Sequence, residues 1–382
     1  EYEGITDYAN DVAMRLSTGD WGDICMVPTT VDKDELENYF VSLGDKDSLS
    51  KIYESNMLNN FAFGDQVYGV PSMANVQGIV YNKAVFKEAG ITELPKTPDE
   101  FLDDLQKIKD NTDAIPLYTN FAAGWTMTAW DAYIDGGATG DPDFVNNVLC
   151  KGKDPFSDRG DGTGPYAVYN TLYEAVSRGL TEDDPTTTDW EGSKGMLNNG
   201  QIGCMALGSW SVTQMQQAGD HADDIGYMPF PITVDGKQYA SAGPDYCYGI
   251  NVHSDYDNQL ASMIYVKWLT EESNFSYDQG GIPICVGDEY PEVLAAFDGV
   301  ELVVDNPAPE GEEDLFGEIN TESEISLNAD NTHVQDVLEH ALNGDKTMEE
   351  IADEWNQAWT DAQEEYDVTP VPYVYGSGVA AE

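Results

Sequence analysis

Three stretches of the chain set aromatic rings among small and polar residues instead of on an apolar stripe. Trp125 and Trp130 lie in residues 117–133 (LYTNFAAGWTMTAWDAY), where Tyr118, Phe121 and Tyr133 alternate with Asn, Thr and Gly. Trp210 follows Gly208 and Ser209 in residues 206–212 (ALGSWSV), and Tyr246 and Tyr248 lie in residues 243–249 (GPDYCYG). Flat apolar rings in such settings stack on the C–H faces of a sugar, while nearby Asn, Asp and Ser direct hydrogen bonds to its hydroxyls. The stacking candidates are Trp125, Trp130, Trp210 and Tyr246, with Ser209 and Asp245 as hydrogen-bonding partners. An ionised Asp245 accepts two hydrogen bonds without needing a cation, and it equally suits the cap of a turn. For any single ring, core packing is as good an explanation as ligand contact.

Other chemistry is poorly supported. No Ser is framed as GxSxG, and GxxxxGK[ST], HExxH and GxGxxG are all absent. Glycoside hydrolysis needs two carboxylates at a fixed separation, and among 71 Asp and Glu any pair in the sequence is uninformative. Residues 158–164 (DRGDGTG) superficially resemble a calcium loop, but the downstream bidentate Glu is missing and Asp/Gly clusters are mostly plain turns. The five cysteines are scattered without a CxxC and there are four histidines, so no disulfide framework, zinc site or cofactor is expected. All but Cys150 sit beside apolar residues and read as small buried hydrophobes.

Against the 71 acids stand 17 Lys and Arg, a formal net charge of −54 over 382 residues. Such a surface repels phosphate backbones and anionic lipid, which excludes nucleic acid and a membrane-surface role. Only Arg15, Arg159 and Arg178 could build a bidentate anion clamp, so the ligand is neutral or cationic. The same charge also reads as a solvated coat for salty or acidic surroundings. The 41% hydrophobic content builds a core, and the length fits two lobes at about 100 to 200 residues per domain. Neither an apolar run of membrane-spanning length nor a cationic signal segment is present.

Short β-rich runs alternate with helical patterns, the signature of α/β units. A helix is predicted over residues 8–17, strands over 23–27, 67–71 and 78–81, and a helix over 82–89 that stops at Gly90. Thr97, Pro98 and Glu100 open a capped helix bearing Phe101, Leu105 and Ile108. Thr347 and Glu350 open another, with Ile351, Trp355 and Trp359 at i, i+4, i+8 facing a core. Residues 258–272 form a third, with Leu260, Ile264 and Trp268 on one face and Trp268 packed inward. Residues 154–164, 305–314 and the tail at 369–382 read as surface loops or loosely held chain.

The run Tyr68-Gly69-Val70-Pro71, Gly78-Ile79-Val80-Tyr81-Asn82-Lys83, Phe86 to Ile91 (FKEAGI) and Leu94 to Phe101 (LPKTPDEF) resembles the signature of family 1 extracellular solute-binding proteins, the carbohydrate receptors of ABC importers. Further matches, in order over nearly the whole chain, are Ser17-Thr18-Gly19-Asp20 with Asp23-Ile24, Asn199-Gly200 with Met205, Gly208-Ser209-Trp210, Met228-Pro229-Phe230-Pro231, Tyr248-Gly249-Ile250 and Asn343-Gly344. The resemblance implies a two-lobed α/β periplasmic-binding-protein fold with a hinge, an interlobe ligand cleft and closure around the ligand. It places one lobe at residues 1–117 plus 248–305 and the other at 118–247 plus 306–382. It adds Asn75 to the ligand-binding candidates, with a turn residue as the plain alternative. The implied partners are a sugar or oligosaccharide and a membrane permease, with the chain a monomer, either lipid-anchored at the cell surface or periplasmic. A same-fold receptor for a polyamine or peptide, or a secreted carbohydrate-active enzyme, is the alternative. In the family a strand, a helix and a second strand precede the helix at Tyr8; Glu1 to Glu3 would be the tail of that second strand, with the first strand and helix expected to be missing, and Trp21 departs from the family pattern as a surface ring.

Overall fold

The computed structural model describes residues 3–5, 8–19, 21–28, 31–134, 136–329 and 331–373. The strand remnant at Glu1 to Glu3, Asp20 and the tail beyond Tyr373 lie wholly or partly outside them. The chain forms two compact units, Glu1–Asn75 with Gly243–Pro291, and Val76–Ala242 with Glu292–Glu382. Among the described residues no helix is long and apolar enough to cross a membrane.

The first unit is built on a three-stranded antiparallel sheet in the order Ile24–Met26, Cys247–Ile250, Val70–Pro71, with Tyr248 opposite both Met26 and Val70. Helix Tyr8–Thr18 contributes Val12 and Leu16 to a core that includes Leu36, Phe40 and Phe61. Trp21 is not a surface ring: it is 7% exposed, edge-on to Phe40 at 5.4 Å in the same core cluster, because burying so large an apolar face gains about 2 to 3 kcal/mol. The strand expected over 67–71 is two. Gln66–Val67 belongs to a small sheet with Gly44–Asp45 and Ala62–Phe63, and Val70–Pro71 to the main one.

Helix Tyr256–Lys267 continues into a π-helical turn, Trp268–Glu272. It buries Ser262, Val266 and Leu269, while Leu260, Ile264 and Trp268 are 45%, 63% and 48% exposed. The shared face is real, but it points outward, so Trp268 is not a core residue. Hydrogen bonds from Gln259 Nε2 to the carbonyls of Val252 and Ser254 seat the helix on its opposite side.

The second unit is organised by one long strand, Ala74–Asn82. Ile79 lies opposite Ala206 of strand Ile202–Gly208 on one side and Met228 of strand Ile225–Pro229 on the other, both antiparallel. Ile115–Leu117 extends the sheet by parallel pairing with Ile202–Gly208, and Glu301–Val303 pairs parallel with Tyr239–Pro244. These pairings tie residues 76–82, 115–117 and 301–303 into this unit. Helix Pro98–Asn111 completes the attachment by burying Phe101, Leu105 and Ile108. Thr97 caps it as predicted, while the Glu100 carboxylate reaches back to the N–H of Lys96. In helix Met348–Glu365 the Thr347–Glu350 capping box is complete, and Ile351 and Trp359 are buried as the stripe requires. The Trp359 indole N–H donates to the Leu149 carbonyl at 2.9 Å.

All five cysteines are free thiols, and four, Cys150 included, are buried. The loop at 158–164 consists of Asp turns: Asp158 accepts from the N–H of Gly160 and Asp161 from that of Thr163. Among the described residues no three His, Cys, Asp or Glu converge on a metal position.

Candidate functional site

In the second unit three tryptophans meet at the ends of three different elements. Trp125 lies on the 3-10 segment Gly124–Ala129, Trp190 opens helix Trp190–Asn198, and Trp210 opens helix Trp210–Gln217 immediately after strand Ile202–Gly208. Their ring centroids are 5.2 Å apart for Trp125 and Trp190, 5.8 Å for Trp125 and Trp210, and 5.9 Å for Trp190 and Trp210. Trp125 meets Trp190 nearly edge-on at 82° and Trp210 at a 40° tilt, the non-parallel geometries that aromatic quadrupoles favour. Trp125 is 51% exposed and the other two are part-buried, so the cluster keeps ring surface open to solvent. The Lys194 ammonium sits 4.7 Å from the Trp190 ring centroid, held there by the Glu191 carboxylate at 2.9 Å.

Two of the rings have visible supports. A Cβ on Gly208 would come within 2.6 Å of Trp210 Nε1, so the indole lies over a position that only glycine leaves open. The Phe121 carbonyl accepts from Gln335 Nε2 at 2.9 Å, which ties the loop bearing Trp125 to helix Thr332–Asn343. Further along the same loop, the Asp131 carboxylate is fully buried and accepts from Tyr169 Oη, His333 Nε2 and the Asn328 N–H, each at 2.8 Å.

Of the residues singled out from sequence, the structure brings Trp125 and Trp210 together and excludes two others from this surface. Trp130 is 2% exposed and packs edge-on against Tyr133 and Phe230, so its faces belong to the core. Ser209 is fully buried and its Oγ accepts from the Val76 N–H at 3.1 Å, joining the end of one strand to the next. Trp190 was missed. It stands in residues 186–192 (TTTDWEG), the same polar, Gly/Thr-rich context at an element boundary that marked Trp125 and Trp210.

Asn75, Asp245 and Tyr246 come together in the first unit. Burial raises the Asp245 carboxyl above its ordinary range, against the Tyr246 backbone N–H and the Asn75 side chain, whose hydrogen bonds lower it. The Asp245 N–H donates to the Met73 carbonyl at 2.9 Å, and Tyr246 beside it is 62% exposed. An amide, a carboxylate and an exposed ring make a surface for hydroxyls. The acids buried most deeply among the described residues are others: Asp104, Asp131, Asp141 and Glu182.

The profile of the bacterial extracellular solute-binding proteins matches residues 1–274. A manno-oligosaccharide-specific solute-binding protein of Bifidobacterium animalis subsp. lactis, solved with mannotriose, is 51% identical with a TM-score of 0.87 over 95% of this chain and 86% of that one. An ABC-transporter binding protein from the same organism, solved with mannobiose, is 52% identical with a TM-score of 0.87 and the same coverage. A multiple sugar-binding protein of Streptococcus mutans is 25% identical over 297 residues, 74% of this chain and 67% of that protein.

Proposed function

The chain belongs to the bacterial extracellular solute-binding proteins, and from that premise we propose that it captures a short manno-oligosaccharide outside the cytoplasm and hands it to the permease of an ABC importer. The observation that carries the reading is the Trp125, Trp190 and Trp210 cluster, whose open indole surface suits the C–H faces of pyranose rings. In this reading Asn75, Asp245 and Tyr246 are a second ligand-contacting set, the carboxylate accepting from sugar hydroxyls and Tyr246 offering a further face. The family and these relatives are binding proteins and not enzymes, so the sugar is passed on unchanged.

Isothermal titration with mannobiose, mannotriose, raffinose and chitobiose tests the reading. Saturable binding of the two manno-oligosaccharides, with ligand recovered intact and no new reducing ends, is the expected outcome. Binding of a polyamine or a peptide with no response to any sugar would overturn it.

A further inference from the structure

The segment carrying Trp125 and the segment carrying Trp190 are far apart in sequence, yet hydrogen bonds stitch them together within a few residues of the rings. The Ala122 N–H, three residues before Trp125, donates to Thr188 Oγ at 2.8 Å, and Thr188 stands two residues before Trp190. The same hydroxyl donates to the Pro185 carbonyl at 2.9 Å, so both its roles are used within this junction. A second stitch runs the other way: the Asp189 N–H donates to Tyr118 Oη at 2.9 Å, and Tyr118 is 6% exposed. Deeper still, the Glu182 carboxylate accepts from both the N–H and the hydroxyl of Thr119.

We propose that Thr188 and Tyr118 are positioning residues for sugar capture, fixing the 5.2 Å edge-to-face contact of Trp125 with Trp190 and acting on the ligand only through those rings. The inference rests on the tryptophan cluster being a sugar surface. Its physical basis is the short span between each stitch and its ring. Releasing a stitch lets the loop bearing Trp125 move against the segment bearing Trp190, and the two indoles no longer present one preorganised surface.

The test is a double-mutant cycle on mannotriose affinity. Thr188→Val keeps the shape and removes both hydrogen-bonding roles, Thr188→Ser keeps the hydroxyl, and Tyr118→Phe keeps the ring. Thr188→Val and Tyr118→Phe should each raise Kd by about threefold to tenfold, the worth of one hydrogen bond, with Thr188→Ser close to the parent. In a Trp125→Ala background the Thr188→Val effect should fall below about twofold, because a residue acting through Trp125 has nothing left to act on. Equal Thr188→Val effects in both backgrounds would overturn the proposal while leaving the sugar surface standing, and so would an unchanged Kd in Thr188→Val and Tyr118→Phe alike. An unchanged Kd in Trp125→Ala alone would remove the sugar surface and this inference with it.

Discussion

Asp131→Ala should be among the costliest single substitutions in the second unit. The carboxylate is fully buried, and three donors from three places in the chain converge on it: Tyr169 of helix Gly164–Ser177, His333 of helix Thr332–Asn343, and the N–H of Asn328. An ionised carboxylate only accepts, so His333 Nε2 carries a proton here, and His333 Nδ1 is buried without a partner among the described residues. Alanine would remove the acceptor that all three donors share. The expected loss is about 3 to 5 kcal/mol, the range for removing one partner of a buried charged hydrogen-bonded set. For a unit of this size that is roughly 6 to 20 °C in Tm. Asp131→Asn separates charge from hydrogen bonding. The amide oxygen can serve the Asn328 N–H while its NH₂ meets Tyr169 Oη and His333, whose proton must then shift to the unpartnered Nδ1, at a cost of about 1 to 3 kcal/mol. The assay is urea unfolding followed by near-ultraviolet circular dichroism. It is read on the transition of the second unit, since two compact units need not unfold together. An Asp131→Ala loss under about 1 kcal/mol, or an Asn variant as unstable as the Ala variant, would refute the reasoning.

Other outcomes follow from the same structure. Trp190→Ala should weaken mannotriose binding by about tenfold, comparably to Trp125→Ala, since each removes one of the three rings; titration calorimetry measures it. Gly208→Ala should do the same without touching the ligand, because the new Cβ drives into Trp210 Nε1, and a shifted tryptophan emission maximum would accompany the loss. Burial raises the Glu182 carboxyl above its unfolded value of 4.5, so the folded state holds that proton more tightly. Stability from this group is therefore present below pH 4.5 and lost as pH rises through the folded value, and Glu182→Gln should flatten that slope in unfolding measurements above pH 4.5.

Helical periodicity states which residues share a face and leaves open which way the face points. Ile351 and Trp359 and the trio Leu260, Ile264 and Trp268 have the same spacing, yet the first pair is buried and the trio is exposed. What separates them is what each helix lies against. The Trp359 indole finds a carbonyl on Leu149 and a ring on Phe156, whereas helix Tyr256–Lys267 is seated by polar bonds from Gln259 and buries a serine. Caps were legible because they are local: Thr97 and Thr347 are bonded as their sequences require. The partners of strand Ala74–Asn82 were not, because they lie more than a hundred residues away in the chain. The candidate site divided on the same principle. A polar, Gly-rich context correctly marks a ring at the edge of an element, and so finds Trp125 and Trp210 and would have found Trp190. It is blind to Trp130, whose neighbours in space, Tyr133 and Phe230, include one supplied by a distant loop. The charge of −54 obeys the same limit: composition announces a solvated acidic coat, but the acids with structural consequences, Asp131 and Glu182, are those turned inward onto donors that only the fold brings within reach.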